Sequence, residues 1–239
     1  MLRHRLIARQ NTMGDGTLGG NREQTYDEVV TGRRSIRGFL DKPVARELIE
    51  EVIALATRAP SSYNNQCWNF TVVTGDPLDA IRRGNTEGIL AGNPDTREFR
   101  RPEGDPPEHH RRRQIDVAKQ LFGAMGIERE DKERRQDWTL RGFRQFDAPV
   151  SVVVTYDRAI LGSDIAPFDC GAITNALVNA AWSRGLGCVI NSQGIMQSPV
   201  VREHAGMVHG FMNMTALSDT VRLAIRDAGH VAGRALGAV

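Results

Sequence analysis

Cysteine is scarce in this 239-residue chain: Cys67, Cys170 and Cys188 are an odd set at wide spacing with no Cys-x-x-Cys pair. That pattern fits neither a disulfide framework nor a zinc site, and the three are read as free thiols. A surplus of charge of either sign is also missing. Lys and Arg number 31 against 29 Asp and Glu, a formal net charge of +2, too small to imply a nucleic-acid or membrane-surface partner. No apolar run approaches the ~18 residues of a membrane span. The basic start of the chain has neither a long apolar stretch nor a small-residue cleavage site, so a cytoplasmic location is the expectation. Phosphate-binding Gly-rich loops and nucleophile-elbow or protease contexts are absent from the sequence as well. His109 and His110 precede Arg111, Arg112 and Arg113, but adjacent histidines on a helix point about 100° apart and no further ligand is spaced to join them. They are read as a solvated face.

What is present suits one domain with a real core: 40% of residues are hydrophobic and 25% charged. Residues 1–24 lack sustained periodicity and read as an extension. Residues 25–206 form the domain, residues 84–147 a variable insertion within it, and residues 207–239 a divergent tail. A helix is expected from Thr25, with Tyr26, Val29 and Val30 on one face. A second follows, with Leu48, Ile49, Val52, Ile53, Leu55 and Ala56 at three- and four-residue spacing before Pro60. Residues 70–73 and 150–156 read as strands, and residues 74–77 as the turn ending the first. The insertion carries a loop over 92–107, a helix over 109–126 and a charged segment over 128–146. Residues 170–184 are a nearly charge-free helix, central or at an interface. Residues 188–190 are expected as a third strand, 191–194 as a turn, and Ser198-Pro199 as the cap and first position of a last helix. The order of elements is that of an α+β fold.

Two segments carry chemistry. Arg33, Arg34, Ser35 and Arg37 offer guanidinium groups that donate paired hydrogen bonds to a phosphate, with a hydroxyl beside them. About one helix later, Pro60, Ser61, Ser62, Asn64 and Gln66 form a polar loop whose amides can both donate to and accept from a heterocycle. Seen alone, the first is an ordinary basic turn and the second an ordinary surface loop. Their succession reads as a cofactor cradle. Trp68 is read as a core anchor.

The pairing resembles the front half of the nitroreductase-like FMN enzymes, with their Arg-Arg-Ser-x-Arg segment, helix, and Pro-Ser-Ser-x-Asn-x-Gln-Pro-Trp loop. Cys67 stands where that family usually has proline. The resemblance implies a mixed sheet wrapped by helices, the long buried helix at a homodimer interface, and two FMN molecules bound between subunits. It further implies that Arg33 and Arg37 contact phosphate or ring oxygens with Ser35 in support. Asn191, Ser192, Gln193 and Gly194 would then lie beside the flavin ring. The implied activity is reduction of nitroaromatic or similar electron-poor small molecules, with NADPH or NADH as reductant and hydride relayed through flavin N5. The insertion suggests the nitrobenzoate reductase-like subgroup. An enone reductase, a dehalogenase or a flavin-fragmenting enzyme on the same scaffold is an alternative. So is a non-catalytic relic, because residues 207–239 lack the family's Gly-Tyr/Trp-Pro segment and closing basic pair.

Overall fold

The computed structural model describes residues 24–96 and 104–205. The expected tail, all but one residue of the expected extension, and residues 97–103 of the expected loop lie outside the described residues. The described elements run in the order α1 (Tyr26–Gly32), α2 (Arg46–Ala56), β1 (Trp68–Val73), α3 (Gly75–Leu90), α4 (Glu108–Ala124), α5 (Lys132–Phe143), β2 (Ser151–Tyr156), α6 (Ile165–Ser183) and α7 (Ser198–His204). The architecture is α+β.

β1 and β2 pair antiparallel, with Trp68 opposite Tyr156 and Val73 opposite Ser151. Side chains alternate across a strand, so each face collects every second residue. Trp68 and Phe70 join Ile53 and Ala56 of α2 and Ile173 of α6 on one face, with Val72, Val152 and Val154 packed around them. Val73 and Val153 join Leu78 and Ile81 of α3 and Val201 of α7 on the other. Helices thus cover both faces, which is why these strands read as near-continuous apolar runs.

α3 departs from the sequence expectation. Residues 74–77 read as a turn, and the insertion was expected to begin at residue 84, yet Thr74 is the N-cap of a 16-residue helix. Pro77 sits in its first turn, where a missing N–H costs no intrahelical bond. Leu78, Ile81, Asn85 and Gly88 form its buried stripe. The glycines that break the sequence pattern are there for packing. A Cβ on Gly84 would lie 2.5 Å from Val200 Cγ1, and one on Gly88 would lie 2.9 Å from Gln197 Cδ. α7 therefore docks against the backbone of α3.

Four smaller differences have local causes. On α1 only Val29 turns to the core, whereas Tyr26 and Val30 are exposed. Residues 188–190 add no strand to the sheet among the described residues: Cys188 makes a single parallel bridge with Ser35. Gln197, not Ser198, is the N-cap of α7, because the buried Ser198 hydroxyl donates to the Thr96 carbonyl at 2.9 Å. The rings of His109 and His110, expected to diverge, lie 4.1 Å apart between centroids.

α6 is apolar around most of its circumference. Its buried side includes Ala166, Ile173, Val178, Ala180 and Ala181, while Phe168, Gly171 and Asn175, at three- and four-residue spacing, are exposed.

Candidate functional site

The cationic segment begins where α1 stops. Arg33 leaves the helix at φ −53° and ψ 136° after its N–H bonds the Val29 carbonyl at 2.9 Å. Arg34 folds back, its Nη1 donating to the carbonyls of Thr31 (2.6 Å), Gly32 (3.0 Å) and Arg33 (2.9 Å). These are the orphan acceptors of a helix C-terminus, so Arg34 has a capping role of its own. Ser35 pairs with Cys188, and the next N–H, of Ile36, donates to the Cys188 carbonyl at 3.0 Å. Arg37 holds its guanidinium 5.9 Å from the Phe146 ring centroid. No ion pair joins Arg33 or Arg37 to a carboxylate among the described residues. Both side chains are half-buried, so their charge is only partly hydrated and favours an anion.

The 191–194 turn is brought to the same place by α5. Arg141 Nη2 donates to the Arg37 carbonyl at 3.0 Å, and the next residue, Gly142, accepts from Asn191 Nδ2 at 2.7 Å. Asn191 Oδ1 also accepts the Gln193 N–H at 3.1 Å, closing an Asx turn. Gln193 reaches the Thr139 carbonyl with Nε2 at 3.4 Å. A Cβ at position 142 would overlap the Gln193 amide, so this placement of the Gln193 side chain depends on glycine there. Ser192 is exposed at the tip and Gly194 is buried. Residues 33–37, Cys188 and 191–194 thus converge on one face of the expected insertion.

The polar loop is built separately, against α6. Pro60 is exposed just past α2. Ser61 Oγ accepts the Gln66 N–H at 3.0 Å, and Gln66 Nε2 donates to Asn64 Oδ1 at 2.8 Å. The Ser62 N–H reaches both oxygens of Asp169, at 3.1 and 3.3 Å. Tyr63, Asn64 and Gln66 have φ of 50°, 56° and 47°, a left-handed conformation that costs roughly 1–2 kcal/mol per non-glycine residue. Such strain persists only where the surroundings impose it. Trp68, 7% exposed, anchors the far end in the core. The outer side of the loop lines a cavity of about 270 Å³ with Cys67, Ile165 and Ala166. Within the chain, no hydrogen bond of residues 60–66 runs to residues 33–37 or 191–194.

All three thiols are held protonated at neutral pH. Burial pushes Cys170 up to about 12, helped by the neighbouring Cys67. Burial, then the Asp169 charge, raises Cys67. Burial raises Cys188 too, with the Arg33 guanidinium pulling against it. None has the thiolate character of a nucleophile.

Sequence reasoning missed Asp169, Arg141 and Gly142. Asp169 carried a signal, being the sole charged residue between Ile165 and Ser183. A carboxylate 1% exposed inside an apolar helix has a task, here the Ser62 amide. Arg141 and Gly142 carried none, since one lies among many charges and the other looks like a helix defect.

The geometry comprises a cationic, amide-rich platform and a separate strained polar loop, and no thiol among the described residues has thiolate character. The profile of the Nitroreductase family matches residues 30–216. Nitrobenzene nitroreductase of Ectopseudomonas oleovorans is 33% identical over 203 residues, covering 80% of this chain and 84% of that protein. A 4-nitrobenzoate reductase of Nocardioides sp. is 33% identical over 188 residues, covering 75% of this chain and 73% of that protein. The crystal structure of the FMN- and NADPH-dependent nitroreductase NfnB from Sphigopyxis sp. strain HMH superposes with a TM-score of 0.70 at 28% identity, over 78% of this chain and 83% of that one. Motif, fold and the similarity running through sheet, insertion and α7 agree, and the chain belongs to the nitroreductase family of oxidoreductases.

Proposed function

We propose that this protein is an FMN-dependent, NADPH- or NADH-using reductase of nitroaromatic or similarly electron-poor small molecules. The observation that carries the reading is the pair of half-buried guanidiniums, Arg33 and Arg37, unneutralised by any carboxylate among the described residues and set beside the Asn191–Gln193 turn. Their donor chemistry fits a phosphate and the carbonyl oxygens of a flavin. FMN held there would supply the redox chemistry, hydride transfer from reduced nicotinamide to the acceptor.

The chain's own residues bind, orient and polarise. Arg33 and Arg37 offer charge-assisted donors and stabilise negative charge, and Ser35 adds a hydroxyl. The 191–194 turn lends backbone and amide donors on a surface that admits close approach. Ser61, Ser62, Asn64 and Gln66 lend neutral donors and acceptors suited to hydroxyls and a pyrimidine edge. The resemblance implies a homodimer with the cofactor between subunits. That accounts for two residue groups with no hydrogen bond between them in one chain, the loop of one protomer facing the cationic segment of its partner. The exposed Phe168, Gly171 and Asn175 stripe of α6 supports the same arrangement.

The test is the visible spectrum of the purified protein before and after anaerobic NADPH, followed by initial rates with a nitroaromatic. A flavin spectrum that bleaches, with parallel double-reciprocal lines at several acceptor concentrations, is expected. A protein that takes up no FMN refutes the cofactor, and intersecting lines refute alternate occupation of one site.

A further inference from the structure

We propose that Arg82 and Asn85, one turn apart on α3, are positioning residues for the cofactor-facing side of the site, holding the Gly194 carbonyl and the residue 143–148 turn in a single arrangement. The inference rests on the functional reading above and adds residues from an element that contributes no expected ligand.

Residues three apart on a helix share a face. From this face, Arg82 Nε donates to the Arg144 carbonyl at 3.1 Å and its Nη2 to the Ala148 carbonyl. Asn85, fully buried, donates from Nδ2 to the Gly194 carbonyl at 2.8 Å and to the Phe143 carbonyl at 3.4 Å. Between the Arg82 contacts, Gln145, Phe146 and Asp147 have φ of 57°, 54° and 56°. Three successive non-glycine residues do not adopt left-handed geometry unless both ends are fixed from outside. The α3 donors fix them.

Two residues of that turn, Phe146 and Gln145, face the site. Phe146, 5% exposed, is presented beneath Arg37 and lies 5.9 Å from Trp138 between ring centroids. Gln145 Nε2 approaches the Gly194 carbonyl at 3.4 Å, beside the Asn85 bond. Gly194 ends the turn that Asn191 and Gln193 build. One helical face thereby sets the support of the Arg37 guanidinium and the 191–194 turn together. Asn85 is suited to this because its amide supplies two donors at fixed geometry in a site without water-exposed alternatives.

The experiment uses the full chain, wild type, Asn85→Leu, Asn85→Asp and Arg82→Lys. Hydrogen exchange of the apoprotein and FMN titration are both measured. Asn85→Leu removes both donors at similar volume. It should raise exchange of the 191–196 segment at least tenfold, leave α6 unchanged, and weaken FMN at least tenfold. Asn85→Asp provides a conditional rescue. A buried carboxyl is protonated at acid pH and donates to Gly194, but ionises and repels that carbonyl at alkaline pH. Its exchange and FMN affinity should match wild type near the acid end and Asn85→Leu near the alkaline end. Should Asn85→Leu fail to fold, Arg82→Lys carries the test, since a single ammonium cannot span two carbonyls and residues 144–148 should lose protection selectively. Exchange of 191–196 within twofold of wild type in Asn85→Leu overturns the proposal. So does exchange that rises equally in all segments, or FMN affinity unchanged when the turn is released. A wild type that takes up no FMN removes the functional reading and this role together, whatever the variants do.

Discussion

Replacing Arg37 and Arg34 one at a time should separate cofactor binding from folding, because the Arg34 guanidinium folds onto the end of α1 whereas, on the proposed function, the Arg37 guanidinium meets FMN. Within the described residues the Arg37 side chain makes one long hydrogen bond, Nη1 to the Ser35 carbonyl at 3.4 Å, and a cation–π contact at 5.9 Å. Such a contact contributes about 0.5–1 kcal/mol, and each kcal/mol moves the melting temperature of a chain this size by roughly 2–4 °C. Arg37→Ala should therefore lower Tm by no more than a few degrees. Removing a charge-assisted contact to FMN, at about 1.5–3 kcal/mol, should weaken the cofactor roughly tenfold to a hundredfold. Arg34→Ala releases three carbonyls at the end of α1. An exposed cation there contributes about 0.3–1 kcal/mol, so Tm should fall slightly while FMN affinity stays at the wild-type value. FMN fluorescence titration and thermal melts on the same preparations check both. Wild-type affinity in Arg37→Ala, or weakened affinity in Arg34→Ala with Arg37→Ala unaffected, would refute the assignment of Arg37 to the cofactor.

Asp169→Ala should leave the Ser62 N–H without its acceptor and cost about 1.5–3 kcal/mol, read as a lower urea midpoint at unchanged m-value. Asp169→Asn, which keeps one acceptor oxygen, should recover part of the loss; equal losses in the two variants would show that burial, and not the hydrogen bond, matters at this position. Cys170 carries a pH prediction of definite sign. Its thiol is raised from 9.0 to about 12 by burial first, so between those values the unfolded chain has released the proton that the folded chain retains. Stability is then unaffected below the lower value and falls as pH rises through the window. Cys170→Ala should flatten that decline in urea melts across the alkaline range, and identical slopes in variant and wild type would exclude the buried thiol as its source.

The sequence alone determined the framework and pointed to the two segments from which the candidate site is built. Consecutive β-branched residues define β1 and β2, three- and four-residue apolar spacing defines α2, and the charge-poor run marks α6, because these patterns follow from backbone geometry and the hydrophobic effect, both local in sequence. The clustered arginines and the Ser/Asn/Gln loop were legible for the same reason: each is a contiguous run of one chemistry. Long-range contacts were not legible. α3 is hidden behind Gly84 and Gly88, whose meaning lies in Val200 and Gln197 more than a hundred positions away in the chain. Arg34 and Arg37 look alike in sequence, yet one folds onto α1 and the other lies over Phe146. Asp169 reaches back to Ser62, and Asn85 reaches forward to Gly194. A hydrogen bond depends on where two groups meet in space, and only the packed chain brings these groups together.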